Sequence, residues 1–186
     1  MFKSVVDFPG LLIFEPKIFE DSRGYFFESF NKKIFERSGI SFDVIQENQS
    51  RSSYGTIRGL HYQGGANPQA KFVRAVCGDI LDVVVDLRVN SPSFGKCFSI
   101  RLTENNKKGL YIPRGFAHGF SVLSEMAEVV YLCDAPYDSS NEGGLRFDDK
   151  ELAIDWHVSL STAKVSDKDL KQPSFSSYKA KIKAKQ

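Results

Sequence analysis

The sequence predicts a mainly β chain folded as a sandwich or barrel of jelly-roll type, and three observations carry that prediction. Short runs alternate apolar and polar residues, turn formers punctuate them at intervals of about 8 to 12 residues, and helix-period apolar stripes are sparse. Such a barrel encloses a pocket, so inward-facing polar side chains on its strands are where chemistry is expected.

Each element has a local cause in the residues. In "NKKIFERSG", residues 31–39, Ile34 and Phe35 supply an apolar face, Asn31 a cap and Gly39 a stop, which predicts a short helix. "KFVRAVCGDILDVVVDLR", residues 71–88, reads as a hairpin. Phe72, Arg74 and Val76 face one way and Val73, Ala75 and Cys77 the other; Gly78-Asp79 permits a tight turn, and Ile80 to Leu87 returns as a Val-rich strand. Asn90, Pro92 and Gly95 then initiate turns before "KCFSIRLT", where Phe98, Ile100 and Leu102 share a face. In "IPRGFAHGF" the residues Pro113, Gly115 and Gly119 constrain a strand that we read as carrying Phe116 and Phe120 on one side and His118 on the other, toward the pocket. The basic end "KAKIKAKQ", residues 179–186, is expected to be a frayed, solvated tail.

Composition narrows the class of function. The 186 residues suffice for one domain with a sizeable core, taken as 1–186, with no repeat or linker. Hydrophobic residues make up 41% and Phe alone counts 16, as in an ordinary globular protein. A net charge of +2 gives no field that argues for nucleic acid. No apolar run reaches membrane-spanning length, and the N-terminus lacks the basic start and cleavage site of an export signal, so a cytoplasmic protein is expected. Cys77, Cys97 and Cys133 are odd in number and far apart, which predicts reduced, inert thiols rather than a disulfide framework or a zinc pair.

Three histidines are available to carry chemistry. His157, in "AIDWHVS", has no polar company that suggests a role. A metal site in such a barrel commonly uses a His-x-His pair, but His61 is followed two places on by Gln63, so His61 and His118 would need carboxylates from elsewhere; no metal is expected. Metal-free proton chemistry needs a base titrating near neutrality, an acid on the far face and a group to stabilise an oxyanion. His61 is the natural base, Lys71 at the start of a predicted strand can neutralise a growing oxyanion, and Tyr131 in "EVVYLCD" can donate a phenolic proton. Taken singly, each also has an ordinary structural explanation: a satisfied histidine, a solvated strand-end lysine, a packed tyrosine.

Five ordered blocks shift that balance. "FEDSRGYFFESFN", "IQENQSRSSYGTIRGLHYQ", "QAKFVRAVCGDILDVVVDLRVNSPSFGK", "LYIPRGFAHGFSVLSE" and "YLCDAPYDSSNEGGLRFDDKELAIDW" resemble the dTDP-4-dehydrorhamnose 3,5-epimerase family, from about residue 11 to about residue 170. The resemblance implies a metal-free, cupin-like double-stranded β-helix (jelly roll) with a few short helices, a homodimer, no cofactor, and a nucleotide-linked 4-keto-6-deoxyhexose as substrate. It implies His61 as base, Lys71 as the enolate-stabilising lysine, Tyr131 as the opposing acid, and Asp169 as the partner of His61, with Asp167 two places away as the alternative. It also implies substrate binding by Arg23, Phe26, Glu28, Gln46, Asn48, Arg58, His118, Tyr137, Glu142 and Lys168. Gly59 is expected to allow a close backbone approach. Where the family usually has Trp-Asn-Asp, this chain has Phe147-Asp148-Asp149, a change expected to concern packing.

The activity so implied is inversion at C3, C5 or both of a dTDP-4-keto-6-deoxyhexose, most simply dTDP-4-keto-6-deoxy-D-glucose to dTDP-4-keto-L-rhamnose. The alternatives are inversion at one centre only on a related nucleotide sugar, a metal-dependent enzyme of the same fold, and a non-catalytic sugar-binding module.

Overall fold

Period-two alternation needs two apolar faces to bury, and the chain meets this need by laying two antiparallel sheets face to face. The computed structural model describes residues 1–184. The elements are β1 (Phe2–Ser4), β2 (Leu12–Phe14), β3 (Phe19–Asp21), β4 (Gly24–Phe26), α1 (Lys32–Arg37), β5 (Gln46–Ser53), β6 (Ile57–Gln63), β7 (Lys71–Cys77), β8 (Asp79–Asp86), β9 (Cys97–Thr103), β10 (Gly109–Ile112), β11 (Phe116–Val122), β12 (Met126–Cys133), β13 (Glu142–Gly144), α2 (Asp167–Leu170) and α3 (Phe175–Lys183). One sheet has the order β1-β2-β10-β7-β12-β5, the other β13-β6-β11-β8-β9, and β3-β4 stands apart as a hairpin. This is the jelly roll that the sequence predicts.

The core lies between the sheets. Val73 and Ala75 of β7, Ala127 and Val129 of β12, Ile80 and Val84 of β8, and Phe116, Phe120 and Val122 of β11 meet there, with Phe98, Ile100 and Leu102 closing one side as their shared face predicts. Part of each outer face is covered as well. Phe72, on the opposite side of β7 from Val73, joins Phe14, Phe35, Phe42 and Tyr111 beneath α1, with Phe35 edge-on to Phe72 at 5.1 Å between ring centroids. The outer face of the smaller sheet carries Leu60, Leu81, Val83, Val85 and Ala117 under Phe147, Leu152, Trp156 and Phe175. Burying each of these large side chains contributes about 1.5–3 kcal/mol. Phe147 does concern packing: it is buried, and its carbonyl accepts from Trp156 Nε1 at 2.8 Å.

The predicted helix is α1, with Asn31 Oδ1 accepting from Lys33 N and Gly39 just past its end at φ +76°. Gly78 makes the predicted β7–β8 turn at φ +73°. Two expectations are corrected. His118 faces the same side as Phe116 and Phe120, because residues two apart share a face and β11 pairs with β8 in unbroken register. The tail expected to fray from residue 179 continues α3 through Lys183, a helix capped by Ser174 and anchored by buried Phe175, with Lys179 paired to Glu151. Residues 185–186 lie outside the described residues.

Candidate active site

Two sheets deliver the site's groups from opposite sides. On β7 the parity that turns Val73 and Ala75 inward also turns Lys71 inward, and on β12 Tyr131 follows Ala127 and Val129. His61, Arg58 and His118 come from the facing sheet. Strict alternation would separate Arg58 from His61, which are three residues apart. A β-bulge reunites them: His118 pairs with His61 but Phe120 pairs with Arg58, so two steps along β11 match three along β6. At the bulge Gly59, at φ +120°, lies so close to Gly119 that a Cβ on it would stand 2.6 Å from the Gly119 Cα. The close approach expected of Gly59 is therefore to the neighbouring strand.

Arg58, His61, Lys71, His118, Tyr131, Lys168 and Asp169 line one cavity of about 490 Å³. Of the two candidate partners, Asp169 faces His61, with Oδ1 2.5 Å from Nε2, while its Oδ2 accepts from Gly59 N at 3.2 Å. Asp167 is exposed. Burial would raise the Asp169 carboxyl, yet the hydrogen bonds from His61, Gly59 and Ser166 and the charge of His61 hold it below the usual carboxylate range. An ionised carboxylate on Nε2 retains the proton there and leaves the Nδ1 lone pair as the basic position. Across the cavity, withdrawal from water pushes the Lys71 ammonium below its ordinary range, against the opposing pull of Cys133, Glu142 and Asp82. Withdrawal from water also raises the Tyr131 phenol, helped by Cys133 and Glu142 and opposed by Arg58, so the group stays protonated at neutral pH. Lys71 Nζ sits 5.8 Å from the centre of the Tyr131 ring.

Five of the expected binding residues form one hydrogen-bonded chain. Gln46 Nε2 donates to Asn48 Oδ1 at 2.9 Å and its Oε1 accepts from Tyr137 N at 2.8 Å. The Tyr137 hydroxyl and Lys168 Nζ both donate to Glu142 Oε2, at 2.7 and 2.5 Å. Arg58 Nε donates to Ser52 Oγ at 3.0 Å. Of the hydrogen-bonded chain only Lys168 lines the cavity; Gln46, Asn48, Tyr137 and Glu142 lie outside its lining. Arg23, Phe26 and Glu28 lie outside it as well: Arg23 and Phe26 sit on the exposed β3–β4 hairpin, where Arg23 pairs with Asp21, and Glu28 accepts from Asn31. His157 is exposed, 3.7 Å from Asp155.

Sequence reasoning missed Asp82, which is fully buried on β8 and places Oδ2 2.8 Å from His118 Nε2. Among the described residues its other oxygen has no hydrogen-bond partner. The signal was present, since an aspartate within "DILDVVVD" has the inward parity of Ile80 and Val84. Ser50, Thr56, Lys164 and Ser166 also line the cavity and were not named. Ser50 was findable from the parity of Gln46 and Asn48; Lys164 and Ser166 arrive from a distant loop. The three thiols are free, and burial pushes those of Cys97 and Cys133 up to about 11. Among the described residues no group of three or more His, Cys, Asp or Glu is placed to hold a metal ion.

The site so arranged can take a proton from one face of a ligand and return one to the other, beside an ammonium. Comparison with known proteins gives the same direction. The model of the family described as dTDP-4-dehydrorhamnose 3,5-epimerase matches residues 5–177. A dTDP-4-dehydrorhamnose 3,5-epimerase of Shigella flexneri is 46% identical over 170 residues, covering 91% of this chain and 93% of that protein. The crystal structure of such an enzyme from Elizabethkingia anophelis NUHP1 superposes with a TM-score of 0.90 at 44% identity, covering 95% and 97% of the two chains. The structure of a dTDP-6-deoxy-D-glucose-3,5-epimerase from Legionella pneumophila Philadelphia 1, in complex with dTDP-4-keto-L-rhamnose, gives 0.88 at 40% identity, covering 97% and 94%.

Proposed function

The chain belongs to the dTDP-4-dehydrorhamnose 3,5-epimerase family, and from that premise we propose that it is an isomerase inverting C3 and C5 of dTDP-4-keto-6-deoxy-D-glucose to give dTDP-4-keto-L-rhamnose. The ketone at C4 acidifies the hydrogens on both neighbouring carbons, because loss of either leaves an enolate whose charge sits on the C4 oxygen. His61 Nδ1 takes the proton, and Asp169 orients the ring and stabilises the imidazolium that results. Lys71, with His118, stabilises the enolate oxygen. Tyr131 gives its proton to the opposite face of the carbon, and the two side chains exchange protons with solvent before the second inversion. Arg58 and Lys168 meet the diphosphate, and the chain from Gln46 to Glu142 meets polar edges of the ligand.

The observation that supports this reading is that the imidazole, backed by the carboxylate from α2, and the phenol with its ammonium stand on opposite sheets around one cavity. Inversion requires two faces, and a site with both groups on one sheet would exchange protons without inverting. Solvent-deuterium incorporation followed by NMR tests it. His61→Asn is expected to abolish exchange at C3 and C5, and Tyr131→Phe to impair inversion more than exchange; full epimerisation by His61→Asn would refute the assignment.

The same reading takes the chain as one domain acting as a homodimer in the cytoplasm. Arg23, Phe26 and Glu28 do not line their own cavity, and the hairpin bearing Phe26 exposes Phe19, Tyr25 and Phe26 by 51%, 58% and 67%. A second copy would cover these rings and bring the three residues to a site. Sedimentation equilibrium checks this, and a monomer at micromolar concentration would remove it. The free cysteines fit a reducing compartment, and among the described residues no helix is long and apolar enough to cross a membrane.

A further inference from the structure

A nucleotide sugar carries a negative charge on each of its two linked phosphates, and the cations that face the cavity can be counted against them. Lys168 is shared with Glu142, 2.5 Å away, so its charge is partly offset before it meets a phosphate. Lys71 belongs to the opposite sheet, beside Tyr131. Among the described residues Arg58 is held only by the neutral Ser52 hydroxyl. Of the two cations assigned to the diphosphate within one chain, Arg58 is thus the one that no carboxylate offsets among the described residues.

A further unoffset cation is present in a residue that the family resemblance does not assign. Lys164 lines the same cavity, and among the described residues its Nζ donates only to the neutral Ser53 hydroxyl, at 2.8 Å. Arg58 and Lys164 are thus hooked to consecutive serines at the end of β5, and neither is in an ion pair among the described residues. The root of the side chain is fixed as well. Lys164 N donates to Gly55 O at 2.9 Å and Ile57 N donates to Lys164 O at 3.0 Å, so the segment is clamped along the start of β6. Thr56 and Ser166 line the same cavity, and Asp169, its one lining carboxylate among the described residues, is taken by His61.

We propose that Lys164 is a second diphosphate-binding cation, which works beside Arg58 at one end of the cavity. The proposal rests on the nucleotide-sugar reading and deepens it. On ligand binding the ammonium leaves Ser53 for a phosphate oxygen, exchanging a neutral hydrogen bond for a charge-assisted one. The experiment is titration of the full chain with thymidine diphosphate, and with uncharged thymidine by its competition against turnover. For Lys164→Ala, thymidine diphosphate is expected to bind about three- to tenfold more weakly, as suits a partly exposed ion pair, while thymidine is unaffected and Lys164→Arg stays near wild type. Thymidine diphosphate affinity within twofold of wild type in Lys164→Ala, or an equal loss for thymidine, overturns the proposal. A wild-type chain that binds no thymidine diphosphate would overturn the nucleotide-sugar reading itself. An insensitive Lys164→Ala in a chain that does bind it removes only the lysine's role.

Discussion

Replacing Asp169 by asparagine removes one charge and almost no volume, so its effect is set by the hydrogen bonds that the new amide can and cannot make. Two donors converge on the carboxylate, His61 Nε2 at 2.5 Å and Gly59 N at 3.2 Å. The Gly59 amide can only donate, so the asparagine must turn its carbonyl oxygen there and its NH2 toward the imidazole. An NH2 cannot accept the Nε2 proton. The ring then carries its proton on Nδ1, the position required as base, and the imidazolium also loses its counter-charge. Loss of base function together with this electrostatic support slows the reaction by about 10²- to 10⁴-fold, or about 3–5 kcal/mol in the barrier. Stability should change by only about 1–2 kcal/mol, because the site keeps its shape and the Gly59 contact. The assay is the rate of solvent-deuterium uptake at C3 and C5, measured beside thermal unfolding, with Asp167→Asn as the control at an exposed position. An Asp169→Asn enzyme that exchanges within threefold of wild type would show that the aspartate does not set the tautomer.

Two further outcomes concern the fold that holds the site. Asp86 is fully buried, and although burial would raise its carboxyl, the hydrogen bonds from Arg88, Ser91 and Ser93 outweigh that and hold it at about 2 against an ordinary 3.8. A depressed carboxyl stabilises the folded state above its unfolded value and loses that contribution as pH falls through the folded one. The wild type should therefore lose about 2 kcal/mol between pH 4 and pH 2 through this residue. Asp86→Asn should flatten that part of a urea-unfolding profile, and an equally steep profile would count against the assignment. At the bulge, Gly59→Ala would set a Cβ 2.6 Å from Gly119 Cα and 2.7 Å from His118 O, at φ +120°. We expect a loss of about 2–4 kcal/mol by chemical denaturation; a change under about 0.5 kcal/mol would mean that the two strands separate at little cost.

The sequence by itself determined the period-two pattern, and with it the strands β7, β8 and β9, their faces, the tight turn at Gly78 and the capped helix α1. It also contained the inward parity of Lys71 and Tyr131, since strand alternation is set by the backbone geometry of neighbouring residues. The same rule, misapplied to His118, should have placed that residue with Phe116 and Phe120. What alternation could not supply is the pairing of Arg58 with His61, which depends on an extra residue in β6 opposite β11. Nor could it choose Asp169 over Asp167, assign Asp82 to His118, or bring Lys164 to the cavity, because those partners lie far along the chain or on another strand. Local sequence sets which way a side chain points relative to its neighbours. Which group it meets is decided only when long-range burial brings distant segments onto the same wall, and the choice depends on what each buried polar atom needs as a partner.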